Sequence, residues 1–119
     1  MHVLKFSVIV EAATGLALVL APAVVATFLL GADLTGVAPF LARCFGITLL
    51  ALSMASWPGV RPMEALVPAL RGMALYNGMI AVYLGYVGAV EQIRGPLLWP
   101  AVALHAVVAL LLGVPARRS

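Results

Sequence analysis

The sequence predicts an all-α integral membrane protein, an up-down-up-down bundle of four helices in one domain over residues 1–119. Three observations predict it. Hydrophobic residues make up 65% of the chain and charged residues only 9%. Four apolar stretches are long enough to cross a bilayer, which takes about 20 residues. The connections between these stretches are short.

The composition also excludes several classes of protein. A soluble domain has roughly 45–50% apolar and about 25% charged residues, and a chain of 119 residues is too small to bury this much apolar surface. The mean hydropathy of +1.17 therefore rules out a soluble enzyme, a DNA-binding module and a disordered tail. The net charge of +3 is not organised as a basic patch with interleaved aromatics, so we expect no nucleic-acid partner.

The four predicted spans cover residues of about 3–30, 37–57, 68–90 and 96–114. The runs are continuous and do not alternate, which argues against β-barrel strands. None has a charged face, which argues against amphipathic helices lying on the membrane surface. Pro22 lies inside the first span and should kink it, leaving the Leu18 carbonyl without its helical donor.

Short connections rich in glycine or proline join the spans, so consecutive helices should run antiparallel. Lys and Arg residues are concentrated on the side that holds both termini and the middle loop, with one exception, Arg94, on the other side. The five are Lys5, Arg61, Arg71, Arg117 and Arg118. Because positive charge is retained on the cytoplasmic side, we predict a multi-pass protein of the bacterial inner membrane with both termini in the cytoplasm.

Each span carries at least one polar residue that is costly in lipid: Glu11, Arg43, Asn77 and His105 in order. A charged residue at mid-bilayer costs about 2.5–3.5 kcal/mol and usually faces the bundle interior, so it is by default a functional-site candidate. At about 1.5 Å per residue, Glu11, Asn77 and His105 lie roughly 12–14 Å from the cytoplasmic boundary and Arg43 roughly 21 Å.

These depths predict a polar cluster in which His105 lies between Glu11 and Arg43, giving a Glu–His–Arg chain. Tyr76 and Asn77 add hydrogen-bonding groups. The first helix presents Ser7, Glu11, Thr14 and Leu18 on one face, so Thr14 is also a candidate. Small residues on the first two spans, Ser7, Gly15, Gly46 and Ser53, favour close helix approach in lipid.

Structural explanations compete with the functional one. Glu11 and Arg43 would form an ion pair that only fixes helix packing, or Arg43 would extend to the outer interface. His105 would only hydrogen-bond a neighbouring helix. The sequence carries no nucleotide-binding, zinc-protease or hydrolase motif, and Cys44 is its single cysteine. We therefore expect neither a metal nor a cofactor, although a haem held by His105 across a homodimer stays open.

Several segments resemble a widespread group of small bacterial four-helix membrane proteins, similar to the DoxX-like proteins. They are Glu11 to Leu16 followed by Pro22, Arg43 with Gly46 and the run to Trp57, Tyr76-Asn77, and Leu97 to Ala101 leading to His105. The group has no assigned function, so the resemblance implies kinship and no activity.

Residues 10–15 also look like the first helix of the small multidrug-resistance transporters, in which a glutamate exchanges protons for cationic drugs. Two features depart from that pattern. Arg43 would compete for Glu11 and repel a cation, and the glycine-rich motif of the third helix is not clearly present.

Three functions follow as hypotheses. The first is a non-catalytic membrane protein, either an accessory subunit of a membrane complex or a binder of a lipid or quinone-like molecule. The second is a proton-coupled transporter that uses Glu11, and the third is an intramembrane isomerase with His105 and Glu11 as acid and base. A cavity beside Glu11 and His105 would favour ligand binding, whereas a closed core would count against transport and catalysis. Expected partners are the bilayer and either a larger complex or a second copy.

Overall fold

The computed structural model describes residues 1–117, so Arg118, which contributes to the predicted charge bias, lies outside the described residues. Over these residues the chain is helical and contains no strand. Four helices are long and apolar enough to span a membrane, which confirms the predicted fold class. The helices are α1 (His2–Leu20), α2 (Pro22–Leu30), α3 (Ala38–Ser56), α4 (Met63–Ala89) and α5 (Leu98–Arg117).

The first predicted span, over residues of about 3–30, contains two helices separated at Ala21, where the sequence predicts only a kink in one helix at Pro22. α1 ends at Leu20, where the Ala21 N–H donates to the Ala17 carbonyl at 2.7 Å. Pro22 is the first residue of α2. A proline is well tolerated there because the first N–H groups of a helix have no helical acceptor. One helix therefore ends before Ala21 and a second begins after it.

The other three spans agree with the helices except at their ends. α4 begins at Met63, five residues before the predicted start, because Pro68 lies within the helix instead of opening it. Proline at that position removes one backbone hydrogen bond near the start of the helix, and the helix continues through it. α5 extends beyond the predicted end at Val114.

α1 packs most extensively against α3, and α4 against α5. The α1–α3 contact centres on two glycines, as their small size predicts. A β-carbon on Gly15 would lie 2.8 Å from the Gly46 carbonyl oxygen, and one on Gly46 would lie 2.9 Å from the Leu18 Cβ. The two backbones therefore touch, which is how helices gain van der Waals contact in lipid.

Within each pair the helices run antiparallel. Gly15 faces Leu49 while Gly46 faces Leu18, so the contacts advance in opposite directions along α1 and α3. In the same way, Gly78 faces Ala109 and Gly88 faces Leu98. The up-down-up-down order of the complete bundle stays a prediction.

The two pairs meet where α1 contacts both α4 and α5. A buried apolar cluster there draws two residues from each helix: Leu4, Val8, Leu70, Met73, Val108 and Leu112. Leu4 and Met73 are completely buried. This cluster lies next to the polar residues of α1 and α4 and fixes how those helices are rotated toward each other.

α2 is held against the connection between α4 and α5 by backbone hydrogen bonds. The Gly95 N–H donates to the Leu29 carbonyl and the Leu97 N–H to the Phe28 carbonyl, both at 2.9 Å. The last carbonyls of a helix lack helical donors, so these bonds satisfy groups that would otherwise need water. They hold α2 beside the start of α5.

The glycine contact between α1 and α3 gives a first test. We expect Gly46→Ala to lower the free energy of unfolding by about 1–3 kcal/mol, because its methyl group would overlap α1. Gly72 lies on exposed α4 surface, and a β-carbon added there would have no atom within 4 Å, so Gly72→Ala should leave stability unchanged or raise it. Unfolding of both variants in detergent checks this, and equal effects would contradict a backbone-to-backbone contact.

Candidate functional site

Five polar side chains from three helices form one group, three of them buried and two half-buried, which we call the polar cluster. Four of them, Glu11, Tyr76, Asn77 and His105, are residues that the sequence predicts to lie together, and the fifth is Ser7. Ser7 and Glu11 belong to the buried face of α1, Asn77 to that of α4, and His105 reaches the cluster from α5.

Glu11 is the most deeply enclosed ionisable group of the cluster, with 1% of its surface exposed. The Tyr76 hydroxyl donates to Glu11 Oε2 at 3.1 Å. His105 Nδ1 lies 3.6 Å from Glu11 Oε1. The rings of Tyr76 and His105 meet edge to face, with centroids 6.1 Å apart. The carboxyl group of Glu11 is therefore hydrogen-bonded to a side chain of α4 and lies close to one of α5.

Asn77 links the remaining members of the cluster. Its Nδ2 donates to the Met73 carbonyl at 2.8 Å and to Ser7 Oγ at 3.1 Å. Its Oδ1 lies 2.7 Å from His105 Nδ1. The amide therefore makes three hydrogen bonds at once, which fixes its orientation and that of the imidazole.

Sequence reasoning did not select Ser7 as a site residue, although a signal was present. Ser7 lies one turn before Glu11 on the same helix face, and it is 1% exposed. A buried hydroxyl needs a partner, and the Asn77 amide supplies it.

Arg43 does not belong to the polar cluster, so the predicted Glu–His–Arg chain is wrong at that residue. Its side chain is exposed, and Nε donates to the Val19 carbonyl at 3.1 Å. Val19 is eight residues from Glu11, roughly 12 Å along α1. The Gly15–Gly46 contact sets this register, and the break after Leu20 leaves carbonyls that need donors. The alternative in which Arg43 extends away from the core agrees better with this position.

Thr14 also lies outside the polar cluster. Its hydroxyl donates to the Val10 carbonyl of its own helix at 2.9 Å. Thr14 instead lines a cavity that borders the polar cluster. Thr14 is therefore part of the candidate site, but it does not hydrogen-bond Glu11 or His105 as the shared helix face would suggest.

The cavity has a volume of about 470 Å³ and lies among α1, α2, α4 and α5, with Phe45 of α3 at its edge. This volume falls within the range of about 300–1,000 Å³ that is typical of ligand sites. Its polar lining residues are Thr14, Tyr76 and His105. The others are apolar: Val10, Ala13, Ala17, Val24, Val25, Phe28, Leu29, Phe45, Ile80, Leu84, Leu97, Ala101 and Leu104.

The cavity opens on the outer surface of the helices. Val24, Phe28 and Leu97 on its rim are each about half exposed. In contrast, the space bordered by Glu11 and Asn77 has no room for a water molecule. Tyr76 and His105 therefore lie between the enclosed Glu11 carboxyl group, which they contact, and the open apolar cavity, which they line.

The described residues contain no group of three His, Cys, Asp or Glu side chains that could hold a metal ion. No protein-family model, curated protein or solved structure matches the chain. The resemblance to the DoxX-like proteins stays a prediction that rests on the sequence segments named above.

The geometry makes a distinct prediction for pairs of substitutions. Tyr76 contacts Glu11 and Arg43 does not, so Glu11→Leu and Tyr76→Phe should be coupled by about 1 kcal/mol in a double-mutant cycle. Glu11→Leu and Arg43→Ala should be additive.

Unfolding of the single and double variants in detergent measures both couplings. A coupling between Glu11 and Arg43 as large as that between Glu11 and Tyr76 would contradict the arrangement, because it would restore the ion pair that the sequence predicted.

Proposed function

We propose that the protein is a non-catalytic integral membrane protein that binds a lipid or quinone-like molecule in the cavity. Binding of this kind suits either an independent protein or an accessory subunit of a membrane complex. The observation that carries the proposal is the cavity itself, which is open at an apolar rim and has Tyr76 and His105 in its lining.

The chemistry of the lining supports a ligand with an apolar body and a small polar head. Ligand sites are mostly apolar, with a few polar groups that orient the ligand. Here the apolar walls continue to a rim that faces the surrounding acyl chains in a bilayer, so a lipophilic molecule would enter without crossing water. Its head would meet the imidazole of His105 and the hydroxyl of Tyr76.

The polar cluster holds those two groups from behind. His105 is bound through Nδ1 to Asn77, and Tyr76 through its hydroxyl to Glu11. A binding group whose orientation is fixed before the ligand arrives loses less entropy when the ligand binds. On this proposal, the costly burial of Glu11 supports a site that it does not itself line.

The other two hypotheses receive less support from the geometry. A proton-coupled transporter needs Glu11 to meet its substrate, and an isomerase needs both Glu11 and His105 beside the reacting atoms. Only His105 of this pair lines the cavity, and the space bordered by Glu11 has no room for a water molecule. Because Arg43 does not contact Glu11, it does not compete with a transported cation for that residue. The lack of space beside Glu11 still argues against transport.

We also propose a bacterial inner-membrane location with both termini in the cytoplasm. The support is the excess of Lys and Arg at the termini and the middle loop, against Arg94 in a loop of the opposite side. The four apolar helices themselves fit a multi-pass membrane protein.

Filling the cavity tests the binding proposal. Ala101→Phe places a ring in the cavity, whereas Ala103→Phe on the exposed surface of α5 is the matched control. We expect a defined lipophilic molecule to copurify with the wild type and with Ala103→Phe, and to fall about tenfold or more with Ala101→Phe, as a loss of about 1.4 kcal/mol would give. Mass spectrometry of organic extracts measures it, and equal retention in both variants would refute the proposal.

Thiol labelling of intact cells tests the orientation. In a Cys44→Ala background, we expect a membrane-impermeant reagent to label Asp33→Cys in the first loop and not Val60→Cys in the middle loop, until the cells are opened. Both native side chains are exposed, so access within the protein is not the obstacle. Labelling of Val60→Cys in intact cells, with Asp33→Cys protected, would reverse the proposed orientation.

A further inference from the structure

The polar groups of the cavity differ in how much hydrogen-bonding capacity they have left for a ligand. The lining contains three polar side chains, Thr14, Tyr76 and His105. Each of them already uses a hydrogen in a bond within the protein. The bonds that remain available therefore decide which headgroup the cavity prefers.

The two hydroxyl groups have both used their hydrogens. Thr14 donates to the Val10 carbonyl, and Tyr76 donates to Glu11 Oε2. A hydroxyl has one hydrogen and two lone pairs. Toward the cavity, both residues therefore offer oxygen lone pairs and no donor.

The proton on His105 is located by its neighbour Asn77. Asn77 Nδ2 lies 2.8 Å from the Met73 carbonyl oxygen. If the Asn77 amide were reversed, its oxygen would face the Met73 carbonyl oxygen, and neither atom could donate a hydrogen. The atom that faces the Met73 carbonyl must therefore be Nδ2. Asn77 Oδ1 then faces His105 Nδ1 at 2.7 Å. An amide oxygen only accepts, so Nδ1 carries the hydrogen.

His105 Nε2 is the remaining atom of the ring that can bond a ligand. No side chain or backbone group of the described residues bonds it, and it is not among their fully enclosed polar atoms. A charged side chain in the interior of a bilayer is costly, so the neutral form of the His105 ring is favoured. In a neutral ring protonated at Nδ1, Nε2 is an acceptor.

We infer that the cavity selects a lipophilic alcohol or phenol whose hydroxyl donates to His105 Nε2, over molecules of the same shape that carry only a carbonyl or ether oxygen. The inference rests on the proposed binding function and narrows it to the hydroxyl-bearing members of the ligand class. A carbonyl or ether oxygen cannot donate a hydrogen bond, and the Thr14 oxygen, the Tyr76 oxygen and His105 Nε2 would offer it only lone pairs. The ligand oxygen would then be buried without a partner, which is unfavourable.

Matched pairs of probes test this inference. The aromatic pair is 4-octylphenol and its methyl ether, and the aliphatic pair is dodecan-1-ol and its methyl ether. We expect the hydroxyl member of a pair to bind the full-length protein in lipid nanodiscs about tenfold more tightly, as one net hydrogen bond gives. Comparing the two pairs shows whether the cavity prefers a phenol, such as a quinol, or an aliphatic alcohol.

The variant His105→Phe keeps an aromatic ring and removes Nε2, so the preference for the hydroxyl probe should disappear. His2→Phe is the control, because His2 is exposed at the start of α1 and does not line the cavity. If His105→Phe does not fold, nitrogen-15 spectra of labelled wild-type protein give the answer directly. We expect His105 to carry one proton, on Nδ1, and a hydroxyl probe to shift the Nε2 resonance.

The outcomes separate the two claims. If ethers and hydroxyl probes bind equally and Ala101→Phe blocks both, the cavity binds ligands and the inference about the headgroup is wrong. A proton on Nε2 in the free protein would also overturn the inference. If no probe binds, no native lipid copurifies and Ala101→Phe changes nothing, the proposed function itself fails.

Discussion

The bilayer interior has no water to hydrogen-bond a polar side chain, so every such group must find its partners inside the protein. For Glu11 this constraint is severe, because its residue surface is 1% exposed. The Tyr76 hydroxyl of α4 donates to one carboxyl oxygen of Glu11, and His105 Nδ1 of α5 lies 3.6 Å from its other oxygen. Because His105 is bound in turn to Asn77, one buried carboxylate fixes the positions of three helices relative to one another.

Two kinds of contact hold the helices together. Small residues bring α1 and α3 into backbone contact at Gly15 and Gly46, and this contact needs no polar group. α1 meets α4 and α5 through the apolar cluster and the polar cluster, which lie next to each other along α1. The break at Ala21 then directs α2 toward the connection before α5, and the cavity lies between these elements with His105 and Tyr76 on its wall.

Much of this arrangement follows from the sequence alone. Apolar length predicts the four membrane-crossing helices, and depth along them brings Glu11, Asn77 and His105 to one level. Arg43 shows the limit of that reasoning. Depth says nothing about which side of a helix faces the core, and the Gly15–Gly46 contact places Arg43 beside Val19 instead of Glu11. The cavity was beyond prediction because it depends on where α2 lies after the break, and Pro22 alone indicates a bend and a break equally well.

Side chains of α1, α4 and α5 bond one another, and we propose that they do so in the middle of the bilayer and fix the wall of a ligand cavity. Solid-state nuclear magnetic resonance of labelled protein in lipid measures this most directly, through the dipolar coupling between His105 Nδ1 and the side-chain carbonyl carbon of Asn77. We expect a coupling that corresponds to the hydrogen-bonded separation of these groups. Absence of that coupling in folded protein, with His105 in contact with acyl chains instead, would contradict it.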